Sequence, residues 1–292
     1  MTGLAKEVLR KWEVRYGFPV PERNAIGHRK FTQGQVSRLQ MIKTLLDGGL
    51  SARHVVPLAS EDLEAACVAI ASTPQARLSE TETHDVLSVL LSHEPLAILS
   101  FLNTRLADLG LRDFVTHFLP SINTLVGNAW VDGRISIRNE HLYTESIKSI
   151  LSREIAALTK PKAAPRVLLA TATGEAHTVG LLMVGAILAL EGVECVSLGA
   201  QLDTTEIAAA AMQYQVNVVA LSFSENFPLK KASDFLKQLR RGLPGAIEIW
   251  GGGAGVMRLP TKLRGIQLIT DINRVADAVN DVRAALTPAI GQ

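Results

Sequence analysis

The 292-residue chain has only two cysteines, Cys67 and Cys195, far apart and neither in a metal-ligand spacing. No disulfide framework follows, and a reducing cytosol is the expected compartment. No apolar run reaches about 18 residues, the length that marks a membrane helix, and the N-terminus lacks the apolar core of a signal peptide. A soluble intracellular protein with no membrane partner is therefore expected. There is no Gly-x-Gly-x-x-Gly before a helix and no P-loop, which argues against dinucleotide and nucleoside-triphosphate ligands. Net charge is small as well, at +2. It is unevenly spread: residues 1–58 hold ten Lys/Arg against four Asp/Glu, an excess of six, so the remainder carries a net −4. A basic module on an acidic body points to a polyanionic partner for the N-terminal segment alone.

What is present is enough chain for two or three domains, and one loop organises it. Arg166-Val-Leu-Leu-Ala170 is an apolar run bounded by Pro165 and Gly174, the pattern of a buried parallel strand. Leu181 to Glu191, apolar and Ala-rich, reads as the helix that follows. Between them stands Thr173-Gly-Glu-Ala-His-Thr-Val-Gly180, at the carboxyl end of the strand, where open α/β sheets bind ligands. Glu175-x-His177-x-x-Gly180 resembles the D/E-x-H-x-x-G signature of cobalamin-binding domains. The resemblance implies that His177 is the lower cobalt ligand, with Glu175 holding its other ring N–H, and that Gly180 makes room for the nucleotide tail. Imidazole backed by a carboxylate suits that chemistry.

After the linker 159–165, strand and helix alternate. Strands are predicted over 166–172, 194–199, 216–223, 246–250 and 266–270, and helices over 179–191, 204–214, 229–242 and 273–286. Five such units with right-handed crossovers give a doubly wound, five-stranded parallel sheet. Ser222-Phe-Ser224 takes the place of the family's serine element, which implies that the first hydroxyl meets the nucleotide base. Gly251-Gly252-Gly253 takes the place of its glycine loop, which admits the tail. Leu198-Gly199 closes the second strand beside the same crevice.

In the basic segment, helices are predicted from Thr2 to Tyr16 and from Thr32 to Leu46, the second closed by Gly48-Gly49, with a third opened by Ser51. A turn-containing wing lies between the first two. The order Leu9-Arg10-x-Trp12-Glu13-x-Arg15-Tyr16-Gly17, Pro21-x-Arg23, Gly27-His28-Arg29 and Phe31-Thr32 resembles the MerR-type winged helix-turn-helix. That implies that Arg10, Lys11 and Arg15 face double-stranded operator DNA from the recognition helix, and that Arg29 and Lys30 sit on the wing. The motif's first helix would precede Thr2-Gly3.

Residues 60–158 carry helical periodicity without strand alternation. Helices are predicted over 63–70, 85–91, 95–106, 111–131 and 136–158, punctuated by Pro74, Pro95, Gly110 and Gly133. A four-helix bundle behind a connecting helix is expected. Trp130, nine residues, then Glu140-His141 resembles the W-x9-E-H signature of light-sensing cobalamin regulators of the CarH/LitR family. By that resemblance the bundle caps the corrin, Trp130 covers the adenosyl group and Glu140 hydrogen-bonds near it. His141 becomes a second cobalt ligand after light breaks the Co–C bond.

The expected organisation is thus a winged helix-turn-helix over 1–75, a helical bundle over 76–160 and an α/β cobalamin domain over 161–292. Family resemblance implies a light-responsive transcriptional repressor, not an enzyme, that uses adenosylcobalamin and forms a homo-oligomer, a tetramer in the dark. Two alternatives stay open: a corrinoid methyl carrier of a methyltransferase system, and a regulator of this fold that binds no cobalamin or another tetrapyrrole. The basic head speaks against the first.

Overall fold

The computed structural model describes residues 4, 6–23, 29–47, 50, 52–72, 79–92, 94, 96–158, 163–257, 259 and 263–286. Several sequence features lie outside the described residues: Thr2 and Gly3, 24–28 of the wing, Gly48-Gly49, Ser51, Pro74, Pro95 and 159–162 of the linker. By packing, the chain forms two compact units. One comprises Met1–Ala97 and His117–Leu142, the other Ile98–Thr116 and Tyr143–Gln292.

The first unit begins with α1 (Lys6–Tyr16), a two-strand wing of β1 (Glu22–Arg23) and β2 (Arg29–Lys30), then α2 (Gln33–Asp47), α3 (Ala52–Val55) and α4 (Ser60–Ser72). The strands pair antiparallel, Glu22 opposite Lys30 and Arg23 opposite Arg29. Helical spacing puts Leu9 and Trp12 on one face of α1, and they bury against Leu39, Ile42 and Leu45 of α2, with Val55, Val56 and Leu63 closing the core. Thr32 starts α2, its hydroxyl accepting the Gln35 N–H at 3.3 Å. Arg38 on α2 stacks its guanidinium 4.6 Å from the Phe18 ring centroid and donates to the carbonyls of Val56 and Leu58. One cation thereby fixes the loop after α1 and the turn after α3.

The helical region holds α5 (Glu80–Leu91), α6 (Ala97–Asp113), α7 (Leu119–Val131) and α8 (Ile137–Ala157). Ser79 and Glu82 form a capping box that starts α5. Instead of one helix over 111–131, a π turn over Phe114–Phe118 precedes α7. Two local causes act here. Gly110 takes φ 75°, outside helical geometry. Pro120 offers no N–H to the carbonyl four residues earlier, and its ring crowds that carbonyl, so the turn before it widens. The helices divide between the units: α5 and α7 fall in the first, α6 in the second, and α8 contributes to both.

The second unit contains a fully parallel sheet of β3 (Ala163–Ala172), β4 (Val193–Leu202), β5 (Val218–Ser222), β6 (Glu248–Gly252) and β7 (Gln267–Ile269). Its crossover helices are α9 (Val179–Leu190), α10 (Thr204–Gln213) and α11 (Leu229–Gly242), and α12 (Val275–Leu286) follows β7. Spatial order is β4-β3-β5-β6-β7. The chain therefore reverses direction across the sheet between β3 and β5, and the carboxyl ends of those two strands define the switch point. The second strand runs beyond 199 to Leu202 as an irregular extension. Gly199 at φ 80° and Gln201 at φ 63° bend it, and the Gln201 N–H donates to the buried Thr171 hydroxyl at 3.0 Å. Helices α6 and α8 pack beside this domain: Arg112 pairs with Glu191 at 2.7 Å, and a Cβ on Gly185 of α9 would meet Ile155 of α8 at 3.4 Å. No described helix is long and apolar enough to cross a membrane.

Candidate functional site

The β3–α9 loop is built around a buried acid. Glu175 is 1% exposed, and its own carbonyl accepts from the Thr171 hydroxyl at 2.5 Å. Its Oε1 accepts the His177 backbone N–H at 2.9 Å and meets His177 Nδ1 at 2.6 Å. Its Oε2 accepts both the backbone N–H and the hydroxyl of Ser224, each at 2.7 Å. Four hydrogens thus converge on two oxygens, the full capacity of an ionised carboxylate. Burial pushes this carboxyl up, but the hydrogen bonds from the side chains and backbones of His177 and Ser224 outweigh it, and its pKa is lowered to about 2. The ionised carboxylate therefore contributes stability that is complete above the free value of about 4.3 and is lost as pH falls through about 2.

The tautomer of His177 follows from that saturation. An ionised carboxylate only accepts, so Nδ1 must carry the hydrogen, and in the neutral ring the lone pair lies on Nε2. The ring projects from the loop with its side chain 65% exposed. A fixed imidazole with Nε2 as the donor atom is the state a transition-metal ligand requires.

Around this ring, backbone replaces side chain. A Cβ on Gly180, in the first turn of α9, would stand 2.8 Å from the Ser222 hydroxyl at the end of β5, so a Cβ would fill the gap between them. After β6, a Cβ on Gly253 would fall 2.3 Å from the Phe223 carbonyl oxygen, and one on Gly255 would fall 2.4 Å from that of Ser224. Gly251 and Gly252 belong to β6 itself, where Gly251 packs on Leu236 and Leu268. Of the three glycines singled out in sequence, only Gly253 is in the loop; Gly255 is a further one that spacing did not reveal. Thr171 is a further site residue, a hydroxyl inside the apolar run 167–172 that donates to the Glu175 carbonyl and accepts the Gln201 N–H.

In the other unit, Trp130 ends α7 and Glu140-His141 stand in the first turns of α8. Trp130 is 45% exposed, and His141 Nε2 lies 3.6 Å from Glu140 Oε2. The turn between the helices is set by Gly133 at φ 72°, whose N–H donates to the Trp130 carbonyl at 3.0 Å. Asn139 ties the start of α8 to α5 through the Leu90 carbonyl at 2.5 Å.

In the head, Arg10, Lys11 and Arg15 are exposed on α1, and Lys30 on β2. The Arg15 guanidinium lies 5.5 Å from the Tyr16 ring centroid. Arg29 is partly committed, pairing with Glu13 at 3.0 Å, which fastens the wing to α1.

Comparison with known proteins identifies two separate stretches of the chain. Residues 165–267 match the B12 binding domain, and residues 1–61 match the MerR HTH family regulatory protein. The HTH-type transcriptional repressor CarH of Myxococcus xanthus is 28% identical over 260 residues, covering 87% of this chain and 86% of its own. The repressor CarA of the same organism is 28% identical over 257 residues, covering 87% and 84%. Among solved structures, the monomethylamine corrinoid protein of Methanosarcina barkeri aligns over 68% of this chain and 95% of its own, with a TM-score of 0.53 at 16% identity, a likeness of fold. The chain joins a MerR-type helix-turn-helix head to a B12-binding domain and, over most of its length, is similar to the CarH/CarA-type transcriptional repressors.

Proposed function

We propose that this protein is a light-responsive transcriptional repressor that binds adenosylcobalamin and operator DNA, and not a turnover enzyme. The observation that carries the reading is the Glu175–His177–Ser224 constellation at the sheet's switch point. It supplies one exposed imidazole of defined tautomer, which suits a cobalt ligand, beside a close Gly180–Ser222 approach that carries no side-chain bulk on the glycine side. His177 is the lower ligand. Gly180, Ser222 and the Gly251-Gly252-Gly253 segment receive the tail, while Ser224 braces Glu175. In the three-part division 1–75, 76–160 and 161–292, the middle part supplies Trp130 to cover the adenosyl group, Glu140 to hydrogen-bond near it and His141 as a second imidazole donor after illumination. When bound, adenosylcobalamin supplies a Co–C bond that light breaks.

The deciding experiment compares purified protein with adenosylcobalamin in the dark and after green light. The absorption spectrum should change on illumination, and light scattering should show a larger homo-oligomer, a tetramer, in the dark. Doubling up basic heads raises DNA affinity through effective concentration, so disassembly would release the operator. An unchanged spectrum would refute the light response, and an unchanged mass would refute switching through assembly.

Glu175→Gln should weaken cobalamin binding by roughly 10–100-fold, the usual loss when a ligand's hydrogen-bond partner is altered. The amide keeps one acceptor oxygen but turns an NH2 toward N–H or O–H donors. Spectral titration of the variant checks this, and wild-type affinity would show that ring orientation does not matter.

DNA binding should be steep in salt. Arg10, Lys11, Arg15 and Lys30 are exposed, and four phosphate contacts give a log–log slope of about −4 per head. Arg10→Ala should reduce that slope by about 1. A slope near zero in a fluorescence-anisotropy salt series would contradict this assignment.

A further inference from the structure

The face of α1 that turns away from the head's core is not uniformly basic. Its buried side is fixed by Leu9 and Trp12. Opposite them, Glu7, Arg10, Lys11 and Val14 follow at i, i+3, i+4 and i+7, which is one stripe of a helix, and all four are exposed. Two of these residues, Glu7 and Val14, add no positive charge to a face proposed to meet a polyanion. Val14 is 90% exposed, the most exposed large apolar residue among the described ones. A β-branched side chain there lowers helix propensity and gains no packing in return. Glu7 is an acid on the outward face. The helix's other acid, Glu13, is accounted for by its ion pair with Arg29. Glu7 is placed to pair with Arg10 or Lys11 along the helix, yet among the described residues no such pair forms.

We infer that Glu7 and Val14 are the specificity-determining residues of the head, reading base edges in the major groove while Arg10 and Lys11 hold phosphate. This rests on the DNA-binding reading above. The chemistry selects the bases. A carboxylate next to phosphates is repelled unless it meets N–H donors, and in the major groove it accepts from the cytosine N4 amino group. Valine methyls match the C5-methyl of thymine. Glu7 stands in the first turn of α1, the part of a recognition helix that meets base edges. Seven residues of helix span roughly 10 Å, about three base pairs at 3.4 Å each. The half-site should therefore contain a cytosine and a thymine about three base pairs apart.

The test is enrichment of duplexes from a random-sequence DNA pool with the full chain, as wild type, Glu7→Gln and Val14→Ala. Both substitutions are on the surface and leave the Leu9–Trp12 core intact. Wild type should converge on a motif with that cytosine and thymine. Glu7→Gln should lose the cytosine preference by roughly 5–100-fold, the discrimination of one base pair. Replacing the thymine by deoxyuracil should weaken wild type about 4-fold, the worth of one buried methyl, and leave Val14→Ala unaffected. An identical motif from all three proteins, with wild type bound, would overturn the inference. A wild type that bound no duplex at all would instead overturn the DNA-binding reading and this inference with it.

Discussion

His177→Ala should leave the α/β domain folded and strip it of cobalamin. The side chain is mostly exposed, so its removal leaves no cavity. Glu175 still keeps three of its four donors, the His177 backbone N–H and the two groups of Ser224. What disappears is the imidazole that Glu175 holds by its Nδ1 hydrogen, and with it the Nε2 donor. The loss in affinity should exceed the roughly 10–100-fold expected when only a ligand's hydrogen-bond partner is altered, so His177→Ala should bind more weakly than Glu175→Gln. Spectral titration with adenosylcobalamin measures both variants, and circular dichroism confirms the fold. A His177→Ala protein with wild-type affinity would remove His177 from the role of lower ligand.

Gly253→Ala should damage the fold itself. The added Cβ would lie 2.3 Å from the Phe223 carbonyl oxygen and 3.2 Å from the Phe223 amide nitrogen, and φ is already 89°. Backbone cannot step aside here: the Phe223 N–H donates to the Gly252 carbonyl and the Gly255 N–H to the Phe223 carbonyl, both at 3.0 Å, and the Phe223 side chain is fully buried. A left-handed non-glycine residue costs about 1–3 kcal/mol, and the clash adds to it, so about 2–4 kcal/mol of stability should be lost. Gly180→Ala makes the contrast. Its Cβ would meet only the Ser222 hydroxyl, at 2.8 Å, which can rotate away. Stability should fall by no more than about 1 kcal/mol, while cobalamin affinity drops because the gap is filled. Denaturant titration and spectral titration of both variants separate a glycine needed by the scaffold from one needed by the ligand. Wild-type stability in Gly253→Ala, or wild-type affinity in Gly180→Ala, would reverse the respective assignment.

The order of elements was legible because its signals are local. The apolar run from Arg166 to Ala170, the glycine at 174 and the apolar helix after 179 place a strand, a loop and a helix without reference to the rest of the chain. The same holds for Leu9 and Trp12 on one face of α1 and for the basic residues between them. Predicted element limits differ from the structure where the cause is a backbone exception. The π turn at Phe114–Phe118 disturbs an otherwise clean helical period, and β4 continues past Gly199 because Gln201 is held by Thr171.

Local pattern sets which residue types stand at the mouth of the sheet: an acid and an imidazole two positions apart, a serine pair and a glycine run. Spacing within one loop is covalent, so Glu175 and His177 meet wherever that loop goes. What surrounds them depends on the order in which the strands pair. Ser224 is 49 residues from Glu175, and it reaches the carboxylate because β5, not β4, lies beside β3 on that side of the switch. The same pairing brings Ser222 against Gly180, and the next, β5 with β6, brings Gly253 and Gly255 against the backbone of Phe223 and Ser224. Ser224 completes the carboxylate's four hydrogen bonds, and the bonds from His177 and Ser224 together outweigh burial and lower its pKa to about 2, which leaves His177 Nδ1 as the donor. Strand order is a long-range choice among parallel pairings that local pattern does not distinguish, and the state of the imidazole follows from it.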